Sequence, residues 1–392
     1  MDKRMRLLVI TDFTEQFSYR LLRGVMEYAR QTEPWMICKM PPSYKRKIGM
    51  DGLVDWALEW HADVIIGQFD PGDNVSLFHK YGIVVLAQDY IAPFKGIPNI
   101  TADYLGTGAM AARRFLSRGF QHFGFFGHKG VCWSVERCKG FRQEVERAGF
   151  GQEFYLYDHQ QIDHLWSYNR TSLTAWLKSL PKPIAIMACD DNQGNILLQT
   201  CNYCGIKIPS EVAIIGVDND EILCNLSIPS LSSINIDIEQ GGYEAAAMAE
   251  RMVKDPSYPG EDIVLRPKNI ITRMSSNIFA TQDTAVLSAL QFIGANIDHK
   301  ILVSDLLKVV PMSRRLLEQR FRKETGTSIY QYITTLRMER FAELLLASNE
   351  PVADIAARME EPDPKSISRR FQAVKGMTPS AFRKLKMRKM GV

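Results

Sequence analysis

The C-terminal part of the chain carries the stretch Leu317-Glu318-Gln319-Arg320-Phe321 followed by Gly326-Thr327, which returns fifty residues later as Ile367-Ser368-Arg369-Arg370-Phe371 followed by Gly376-Met377-Thr378. In the same register Ser313 superposes on Asp363, and both residue types are good N-caps for a helix that begins just after them. A short helix, a turn and a capped second helix form a helix-turn-helix, whose second helix can lie in a DNA major groove. The repeat therefore predicts two such units and two groove contacts.

The length and composition predict a larger protein around this repeat. With 392 residues, of which 46% are hydrophobic, the chain has enough material for two or three domains. Its seven cysteines are scattered, which argues against a disulfide framework and for a reducing compartment. The apolar stretch that ends at Ile10 is too short for a signal peptide, and no apolar run approaches membrane-spanning length. We therefore expect a cytoplasmic protein without membrane contact.

The charge is distributed unevenly between the two ends of the chain. From Asp283 onward there are 19 Lys and Arg against 12 Asp and Glu, a net charge of +7, whereas the whole chain carries +4. This asymmetry assigns a polyanion-binding role to the C-terminal part. Its most basic run begins at Arg383 and ends at Lys389, and it is either a solvated tail or a phosphate contact.

The first two-thirds of the chain alternate between apolar runs and helix-like segments. The apolar runs are Leu7 to Ile10, Val64 to Ile66, Ile83 to Leu86, Phe123 to Phe126, Ile184 to Ala188 and Val212 to Val217. The helix-like segments include Ser18 to Gln31, Gly106 to Ser117, Glu136 to Ala148 and Gln193 to Cys204. Continuous apolar strands separated by helices predict an α/β fold, with a mainly parallel sheet covered on both faces.

In a sheet of this kind the ligand crevice lies beyond the carboxyl ends of the strands. The residues that follow the predicted strands or begin the next helix include Asp12, Phe13, Asp89, Trp133, Arg137, Asp190, Asp191 and Asp218. Carboxylates and an arginine provide charge-assisted hydrogen bonds to hydroxyls, and aromatic faces cover apolar C–H surface. We therefore predict a sugar site. An aspartate after a strand is also often only the N-cap of the next helix, so each one has two open roles.

A polar stretch divides the chain. Residues 255–273 contain three prolines and a glycine, which predict a loop and a closing strand, and a polar segment follows. Beyond that segment the pattern is helical. We therefore expect a sensor domain at 1–276, a linker at 277–284 and a DNA-binding domain at 285–392.

The C-terminal repeat is similar to the AraC/XylS-type DNA-binding domain of bacterial activators. The matching residues are Ser313-Arg314-Arg315, Phe321-Arg322-Lys323-Glu324-Thr325-Gly326, Leu336-Arg337, Ile355-Ala356, Gly376-Met377-Thr378-Pro379 and Arg383. The likeness covers about a quarter of the chain. It implies an all-helical domain with two helix-turn-helix units that binds double-stranded promoter or operator DNA.

The rest of the chain resembles the sugar-binding domain of lac-repressor-type regulators, which has the two-lobed shape of a periplasmic binding protein. The resemblance is carried by Glu136-Arg137-Cys138-Lys139-Gly140-Phe141, Cys189-Asp190-Asp191, Gly205 to Val212 and Ile215-Gly216-Val217-Asp218, followed by Pro229 and Leu231. A sensor in front of a double helix-turn-helix is the order of the xylose-operon regulators. Trp133-Ser134-Val135-Glu136-Arg137 is similar to the matching stretch in those regulators.

The resemblance implies roles that spacing alone does not give. In lac-repressor-type sensors, sugar hydroxyls are held between the lobes by the residues that match Arg137, Asp190 or Asp191, and Asp218. Asp89 falls where another polar contact is usual, whereas Asp12 and Phe13 match the first binding loop only loosely. The resemblance implies an activator of pentose catabolism genes whose effector is D-xylose. It also implies a homodimer that has RNA polymerase as a partner. No cofactor, metal or enzymatic activity is expected.

The spacing within the two recognition helices separates core positions from surface positions. Leu317 and Phe321 are four residues apart and share one face, as do Ile367 and Phe371, so these pairs are expected in the core. The resemblance implies that Arg315, Glu318 and Gln319 of the first helix face bases, and Arg314 and Arg322 are also expected to bind DNA. In the second helix the buried pair leaves Lys365, Ser368 and Arg369 as the expected readers. Arg and Gln can bond bidentately to guanine and adenine, and Glu can accept from cytosine.

The second unit departs from the AraC/XylS pattern at its turn. Gly-Phe is usual there, whereas this chain has Glu360-Glu361. Two acids near phosphate would weaken DNA binding, and the missing glycine removes the easy turn geometry. We therefore expect the first helix to supply more of the specificity. Between the units, Tyr330 to Ala347 predicts a connecting helix in which Arg337 is a buried or capping cation.

Two other classes of function remain open. A phosphorylated sugar would want several cations, and the predicted crevice offers few beyond Arg137. Paired carboxylates such as Asp190-Asp191 cleave glycosides in some enzymes, but neighbours in sequence seldom flank one bond. The main alternative is therefore a regulator that responds to another sugar or to a sugar phosphate, followed by a carbohydrate-active enzyme.

Overall fold

The structure is a computed structural model that describes residues 4–13, 16–32, 34–88, 91–157, 169–278, 281, 283–347, 350–361 and 363–390. The strands are β1 (Arg6–Ile10), β2 (Met36–Met40), β3 (Val64–Gln68), β4 (Val84–Gln88), β5 (Asn99–Ala102), β6 (His122–Phe126), β7 (Phe154–Leu156), β8 (Ile184–Ala188), β9 (Val212–Val217), β10 (Ser232–Ile236), β11 (Ile263–Leu265) and β12 (Pro267–Ile271). The helices of the sensor part are α1 (Gln16–Gln31), α2 (Pro42–Glu59), α3 (Ser76–His79), α4 (Tyr104–Leu116), α5 (Cys132–Arg147), α6 (Arg170–Ser179), α7 (Asp191–Tyr203), α8 (Glu221–Leu226) and α9 (Ile238–Lys254). The helices of the C-terminal part are α10 (Thr284–Ala295), α11 (Val303–Val309), α12 (Arg314–Thr325), α13 (Ile329–Ala347), α14 (Val352–Arg358), α15 (Pro364–Lys375) and α16 (Pro379–Met390).

The strands form two separate six-stranded sheets, one for each lobe of the sensor. The first sheet has the order β11-β5-β4-β3-β1-β2, and the second has the order β12-β10-β9-β8-β6-β7. The pairings described are parallel except for β10 with β12, which is antiparallel. The predicted fold class, two parallel-dominant α/β lobes followed by an all-helical domain, is confirmed. Strands β2, β5, β7 and β10 were not predicted, because they are short or interrupted by polar residues, and the single closing strand predicted within 255–273 is two short strands, β11 and β12.

The chain passes between the lobes three times, after β5, after β10 and after β11. The crossing segments are tied to one another by backbone hydrogen bonds, from Asp103 N–H to the Leu265 carbonyl at 2.9 Å and from Asp237 N–H to the Arg266 carbonyl at 3.0 Å. Each lobe has its own buried apolar core. The three crossing segments form a hinge. Such a hinge allows the two lobes to close on a ligand that lies between them.

Each lobe contains one pair of helices that cross at glycines. In the first lobe α1 packs on α9, and a Cβ at Gly24 would lie 1.9 Å from the Glu239 carbonyl oxygen. In the second lobe α4 packs on α5, and a Cβ at Gly108 would lie 2.0 Å from the Arg137 carbonyl oxygen. Only glycine permits backbones to approach this closely, so these crossings fix where the first turns of α1 and α5 are placed.

The C-terminal domain repeats one unit around the long helix α13. The first core joins α10, α11, α12 and the first half of α13, and the second joins α14, α15 and the second half of α13. The four predicted core residues of the recognition helices, Leu317, Phe321, Ile367 and Phe371, are all fully buried. Helix α13 has 19 residues, about 28 Å at 1.5 Å per residue, and it sets the separation of the two units.

The predicted caps of the two recognition helices, α12 and α15, are present. The Ser313 hydroxyl accepts a hydrogen bond from Leu316 N–H at 3.3 Å, and the Asp363 carboxylate accepts from Lys365 N–H at 3.0 Å. Both helices have 12 residues and end at glycines with left-handed φ, 73° at Gly326 and 74° at Gly376. The fifty-residue repeat in sequence is therefore a repeat in structure.

The structure corrects the expectation for one of the two acids in the turn of the second unit. Glu361 is buried and forms ion pairs with Arg337, at 2.9 Å, and with Arg370. Glu360 accepts hydrogen bonds from His299 and from Lys300 N–H, and it adopts the left-handed φ of 54° that glycine usually provides. Glu361 is therefore an internal counter-charge that stabilises the turn, whereas the Glu360 carboxylate remains exposed at the surface. Arg337 is the buried cation predicted for the connecting helix.

The sensor and the C-terminal domain touch through the segment that joins them. The Tyr332 hydroxyl on α13 donates to the Asn277 carbonyl at 3.2 Å, and the Thr281 hydroxyl donates to Glu324 at 2.6 Å. Helix α8 of the second lobe also contacts α13. Asp283 caps α10, the first helix of the domain. Across the described ranges, none of the helices combines the length and apolar character needed to cross a lipid bilayer.

Candidate ligand cleft and DNA-binding surface

A cleft of about 750 Å³, including its open mouth, lies between the two lobes at the carboxyl ends of the strands. The first lobe and its crossing strand supply Gln16, Phe17, Gln68, Gln88 and Ala102. The second lobe, beginning with Tyr104, supplies Trp133, Arg137, Asp190, Asp191, Asn192, Val217, Asp218, Asp220 and Leu223. A cleft with aromatic walls and a few convergent polar groups is the expected form of a small-molecule site.

Arg137 lies at the centre of the second-lobe wall. It is only 4% exposed, and its guanidinium donates to the Cys189 carbonyl at 2.5 Å and to the Asp218 carboxylate at 3.2 Å. Its face lies 5.4 Å from the Tyr104 ring centroid and 5.3 Å from that of Trp133. Burial would lower the pKa of Arg137, but Asp218, Tyr104, Cys189 and Asp190 together outweigh it and the net shift is upward. The arginine is therefore a fixed, charged donor.

The three predicted aspartates of the second lobe have different roles. Asp190 caps α7 by accepting from Gln193 N–H at 2.7 Å, and it also lines the cleft. Asp191 is 3% exposed and accepts from Asp220 N–H at 2.7 Å, so it mainly holds the loop after β9 from behind. Asp218 pairs with Arg137 from a left-handed backbone, with φ of 91°. The N-cap role and the cleft role that the sequence left open coincide at Asp190.

The first lobe contributes amides where the sequence predicted an acid and an aromatic. Gln68 and Gln88 are the last residues of β3 and β4, and both are nearly buried. The Thr11 hydroxyl, bonded to Ser18 at 2.7 Å, donates to Gln88 Oε1 at 3.0 Å. That bond leaves the amide N–H groups of Gln88 to serve as donors to a ligand oxygen.

The other predicted residues of the first lobe lie elsewhere. Within the described part of the chain, Asp12 and Phe13 are not among the residues that line the cleft. Phe13 packs on Tyr19, with ring centroids 5.6 Å apart, and under Lys39. The lining positions fall instead at Gln16 and Phe17, because α1 begins only at Gln16. Asp89 lies outside the described residues.

A signal for the missed glutamines was present in the sequence. The predicted strands end at Ile66 and Leu86, whereas β3 and β4 continue to Gln68 and Gln88. A polar residue that ends a strand is therefore a better candidate for ligand binding than the residue that follows the strand. Tyr104 gave no such signal, because its place in the cleft depends on the chain crossing between lobes.

Three groups with metal-binding chemistry meet behind the cleft wall. Donor atoms of His128, Cys189 and Asp190 lie within 4.8 Å of one another, although their spacing in sequence does not reveal it. Burial raises the pKa of the Cys189 thiol well above its usual value, and the nearby Asp190 carboxylate adds to the shift.

The affinity of the cleft for a ligand whose hydroxyl donates to Asp190 should fall below pH 6. Burial raises the pKa of Asp190 to about 6, and the Asp218 carboxylate adds to the shift. The acceptor is ionised above that pH and protonated below it, so the dissociation constant should rise by up to about tenfold per pH unit. Calorimetry between pH 5 and pH 8 measures this change.

The matched variant for that measurement is Asp190→Asn, since asparagine also caps helices. It retains Asp191, whose pKa burial raises as well, and so separates the two carboxyl groups. The variant should bind with little dependence on pH. An unchanged pH dependence in the variant would assign the titration to another group.

The predicted DNA-binding residues of the first unit lie mostly on one exposed face of α12. Arg314, Arg315, Gln319 and Arg322 are exposed, whereas Glu318 is half-buried and one of its oxygens accepts from Ile329 N–H at 3.3 Å. Glu318 therefore also holds the start of α13. The guanidinium and amide groups remain on the surface that an inserted recognition helix would present to base edges.

The second recognition helix presents fewer groups. Lys365 and Arg369 are exposed, and Ser368 is half-buried. The basic run after Arg383 forms part of α16, and Arg383 itself donates to the Leu345 carbonyl on α13 at 2.9 Å. This arginine is thus fixed on the connecting helix.

Comparison with known proteins finds a family model for part of the sensor and another for most of the C-terminal domain. Residues 112–276 match a periplasmic binding protein-like domain, and residues 306–385 match a helix-turn-helix domain. The xylose operon regulatory protein of Haemophilus influenzae is 30% identical over 334 residues, which cover 82% of this chain and 84% of that protein. The protein of the same name from Escherichia coli K12 is 26% identical over 392 residues, with 97% of each chain covered.

Solved structures agree in fold over the same extent. A structure titled as the xylose-binding transcription activator has a TM-score of 0.71 and 24% identity, and covers 98% of this chain and 99% of that one. A CelR–cellobiose complex matches 70% of this chain and 86% of its own, with 18% identity and a TM-score of 0.56. From the match to the Haemophilus influenzae protein over most of both sequences, together with the two matched domains, the chain belongs to the family of the xylose operon regulatory proteins.

Proposed function

We propose that this protein is a sugar-responsive, DNA-binding transcription regulator that activates xylose catabolism genes when D-xylose binds between its two sensor lobes. The observation that carries the proposal is the cleft centred on Arg137 and Asp218, in a chain that also presents two capped recognition helices. Its relatives in two bacteria are named as regulators of the xylose operon.

The chemistry of the cleft suits an uncharged sugar. Arg137 and the amides of Gln68 and Gln88 donate to hydroxyl oxygens, and the carboxylates of Asp190 and Asp218 accept from hydroxyl hydrogens. Trp133 and Tyr104 provide apolar faces for C–H surface. Both donors and acceptors are therefore held in place before a ligand arrives, which lowers the entropic cost of binding.

Sugar binding is coupled to DNA through the relative position of the lobes. A sugar that touches both lobes binds the closed arrangement more tightly than the open one, and it shifts the population by that difference in affinity. Helix α8 and the segment around Asn277 contact α13, so a lobe movement reaches the helix that separates the two recognition helices. In a homodimer in the cytoplasm, the rearranged domains occupy promoter half-sites and recruit RNA polymerase.

Isothermal calorimetry of the whole protein with D-xylose, L-arabinose, D-ribose and D-xylose 5-phosphate tests the ligand. We expect heat with D-xylose and weaker or no binding of the other three. A companion measurement of affinity for a promoter duplex, with and without D-xylose, tests the regulation. Absence of heat with all the free sugars would overturn the proposal.

A sugar phosphate is the less favoured ligand. Arg137 is the one cation among the residues that line the described cleft, and its guanidinium is already bonded to Asp218 and to Cys189. A phosphate group would also meet the carboxylates of Asp190 and Asp218. The charge of the wall thus favours a neutral ligand. A hydrolase is disfavoured too, and turnover of nitrophenyl xylosides by the purified protein would contradict that statement.

The first recognition helix should determine base preference more strongly than the second. Gln319 is exposed on α12 with an amide that can bond bidentately to adenine. Gln319→Ala should relax preference at one base pair by about 1–3 kcal/mol, whereas Arg369→Ala on α15 should weaken binding to all sequences more evenly. Binding to a library of promoter duplexes, each with one base pair changed, measures both effects. Equal loss of preference from the two variants would contradict this ranking.

A further inference from the structure

A second arginine, Arg20 on the first lobe, holds the same aspartate as Arg137. Arg20 lies in the first turns of α1, is 9% exposed, and sits just before the glycine crossing of α1 and α9. Its Nη1 donates to the Asp218 carbonyl at 2.6 Å. Asp218 belongs to the second lobe, so this hydrogen bond joins the lobes.

The remaining donors of Arg20 hold the chain where it crosses from β10 to α9. Nη2 donates to the Asn235 side chain at 3.1 Å and to the Ile236 carbonyl at 2.9 Å. Nε and Nη2 also form a two-pronged pair with the Glu239 carboxylate, at 2.9 and 2.7 Å. A guanidinium has five N–H donors in a planar fork, and here they are directed to acceptors on both sides of a hinge.

Asp218 is therefore fixed from two directions. Arg20 of the first lobe holds its backbone carbonyl, and Arg137 of the second lobe holds its carboxylate at 3.2 Å. The backbone between these two contacts has a φ of 91°, and Asn219 follows with 51°. Residues other than glycine rarely adopt this backbone conformation, so surrounding contacts must maintain it.

We propose that Arg20 is a positioning residue for the ligand: from the first lobe, it keeps the Asp218 main chain in the orientation that places the carboxylate on Arg137 in the cleft. Through Arg20, the geometry of the sugar site depends on a contact between the two lobes. The inference rests on the proposed function, because the ligand in the test is the proposed sugar.

A purely structural role for Arg20 would act through Glu239 instead. Burial would raise the pKa of Glu239, but the hydrogen bond and charge of Arg20 outweigh it and lower the pKa. This pair lies on the first lobe alone, since α1 and α9 pack together there. The two roles therefore predict different results when Arg20 and Glu239 are changed separately.

The test compares Arg20→Lys with Glu239→Gln. Lysine keeps the charge beside Glu239 but cannot reach Asp218, Asn235 and Ile236 at once, because it offers one ammonium in place of a fork. We expect the dissociation constant for D-xylose to rise at least tenfold in Arg20→Lys and less than threefold in Glu239→Gln. Arg142→Lys, on an exposed pair with Glu146, is the matched control and should bind like the wild type. Equal losses in Arg20→Lys and Glu239→Gln would overturn the proposal.

A double-mutant cycle tests whether Arg20 acts through Asp218. If it does, the effect of Arg20→Lys on sugar affinity should largely disappear in an Asp218→Asn background, because the group that Arg20 positions has already lost its charge. If the two substitutions raised the dissociation constant for D-xylose independently, so that their factors multiplied in the double variant, the proposal would be overturned. Thermal unfolding without sugar, measured on the same variants, separates this coupling from a general loss of stability.

A measurement without ligand distinguishes a failure of this inference from a failure of the proposed function. The Asp218 N–H is bonded to the Ile234 carbonyl and the Asp220 N–H to Asp191. Hydrogen exchange at residues 218–220 should be at least tenfold faster in Arg20→Lys than in Arg142→Lys. If no sugar binds the wild-type protein, the proposed function fails, and the exchange rates still decide the role of Arg20: equal rates overturn it.

Discussion

Replacing Arg137 with alanine is expected to lower the affinity for D-xylose by 30-fold to 1000-fold. The change removes the central donor of the cleft and leaves the Asp218 carboxylate and the Cys189 carbonyl without their partner. Removing one member of a buried charged hydrogen bond typically costs about 2–4 kcal/mol, which corresponds to this range of affinity. Calorimetry with D-xylose measures the loss, and a thermal shift on adding sugar should disappear with it.

The control for this change lies on the same helix. Arg147 is an exposed arginine at the end of α5, paired with Glu144 at 2.7 Å. Arg147→Ala changes the net charge equally and should leave sugar affinity within about twofold of the wild type, since exposed ion pairs contribute little. Arg137→Ala with wild-type affinity would show that the ligand binds somewhere other than this cleft.

Replacing Glu361 with alanine should unfold the second helix-turn-helix before the rest of the protein. Glu361 is buried between Arg337 and Arg370, and its loss leaves two guanidinium groups without their counter-charge inside the domain. Breaking a buried pair in this way typically costs about 3–5 kcal/mol. Hydrogen exchange over 352–375 should show the loss of protection, and affinity for a promoter duplex should fall sharply.

An exposed acid in the same unit provides the comparison. Glu350 pairs with Arg358 at 2.9 Å, and its side chain is 40% exposed. Glu350→Ala should change stability by less than about 1 kcal/mol. If Glu361→Ala changed the stability as little as Glu350→Ala, Glu361 would not stabilise the turn. The sequence-based expectation that this acid weakens DNA binding would then stand.

The prediction of the C-terminal domain from sequence depended on local information. Ser313, Asp363, Gly326 and Gly376 specify helix ends through hydrogen bonds and φ angles within a few residues. Apolar residues four apart, such as Leu317 and Phe321, specify which face is buried. The strands that line up with long apolar runs were predicted for the same reason, since hydrophobic periodicity is a short-range property.

The cleft residues divide along the same line. Arg137 and Asp190 were identified because each lies at the end of a strand or the start of a helix, where sequence position and place in the sheet correspond. Gln16, Phe17 and Tyr104 were not identified, because they come to the cleft only when the first lobe faces the second. The orientation of Asp191 likewise depends on tertiary structure, because its carboxylate accepts from the Asp220 N–H in the loop after β9.

The sequence by itself determined several of the helices, the strands with long apolar runs, the repeat and its caps, since these follow from contacts between residues a few positions apart. Only the tertiary structure decided that Arg20 reaches Asp218 across 198 residues, and that Glu361 lies between two arginines. The physical reason is that charged side chains look alike in a sequence whether they are solvated or buried. Which of the two they become is fixed by the three crossings between lobes and by the packing around α13.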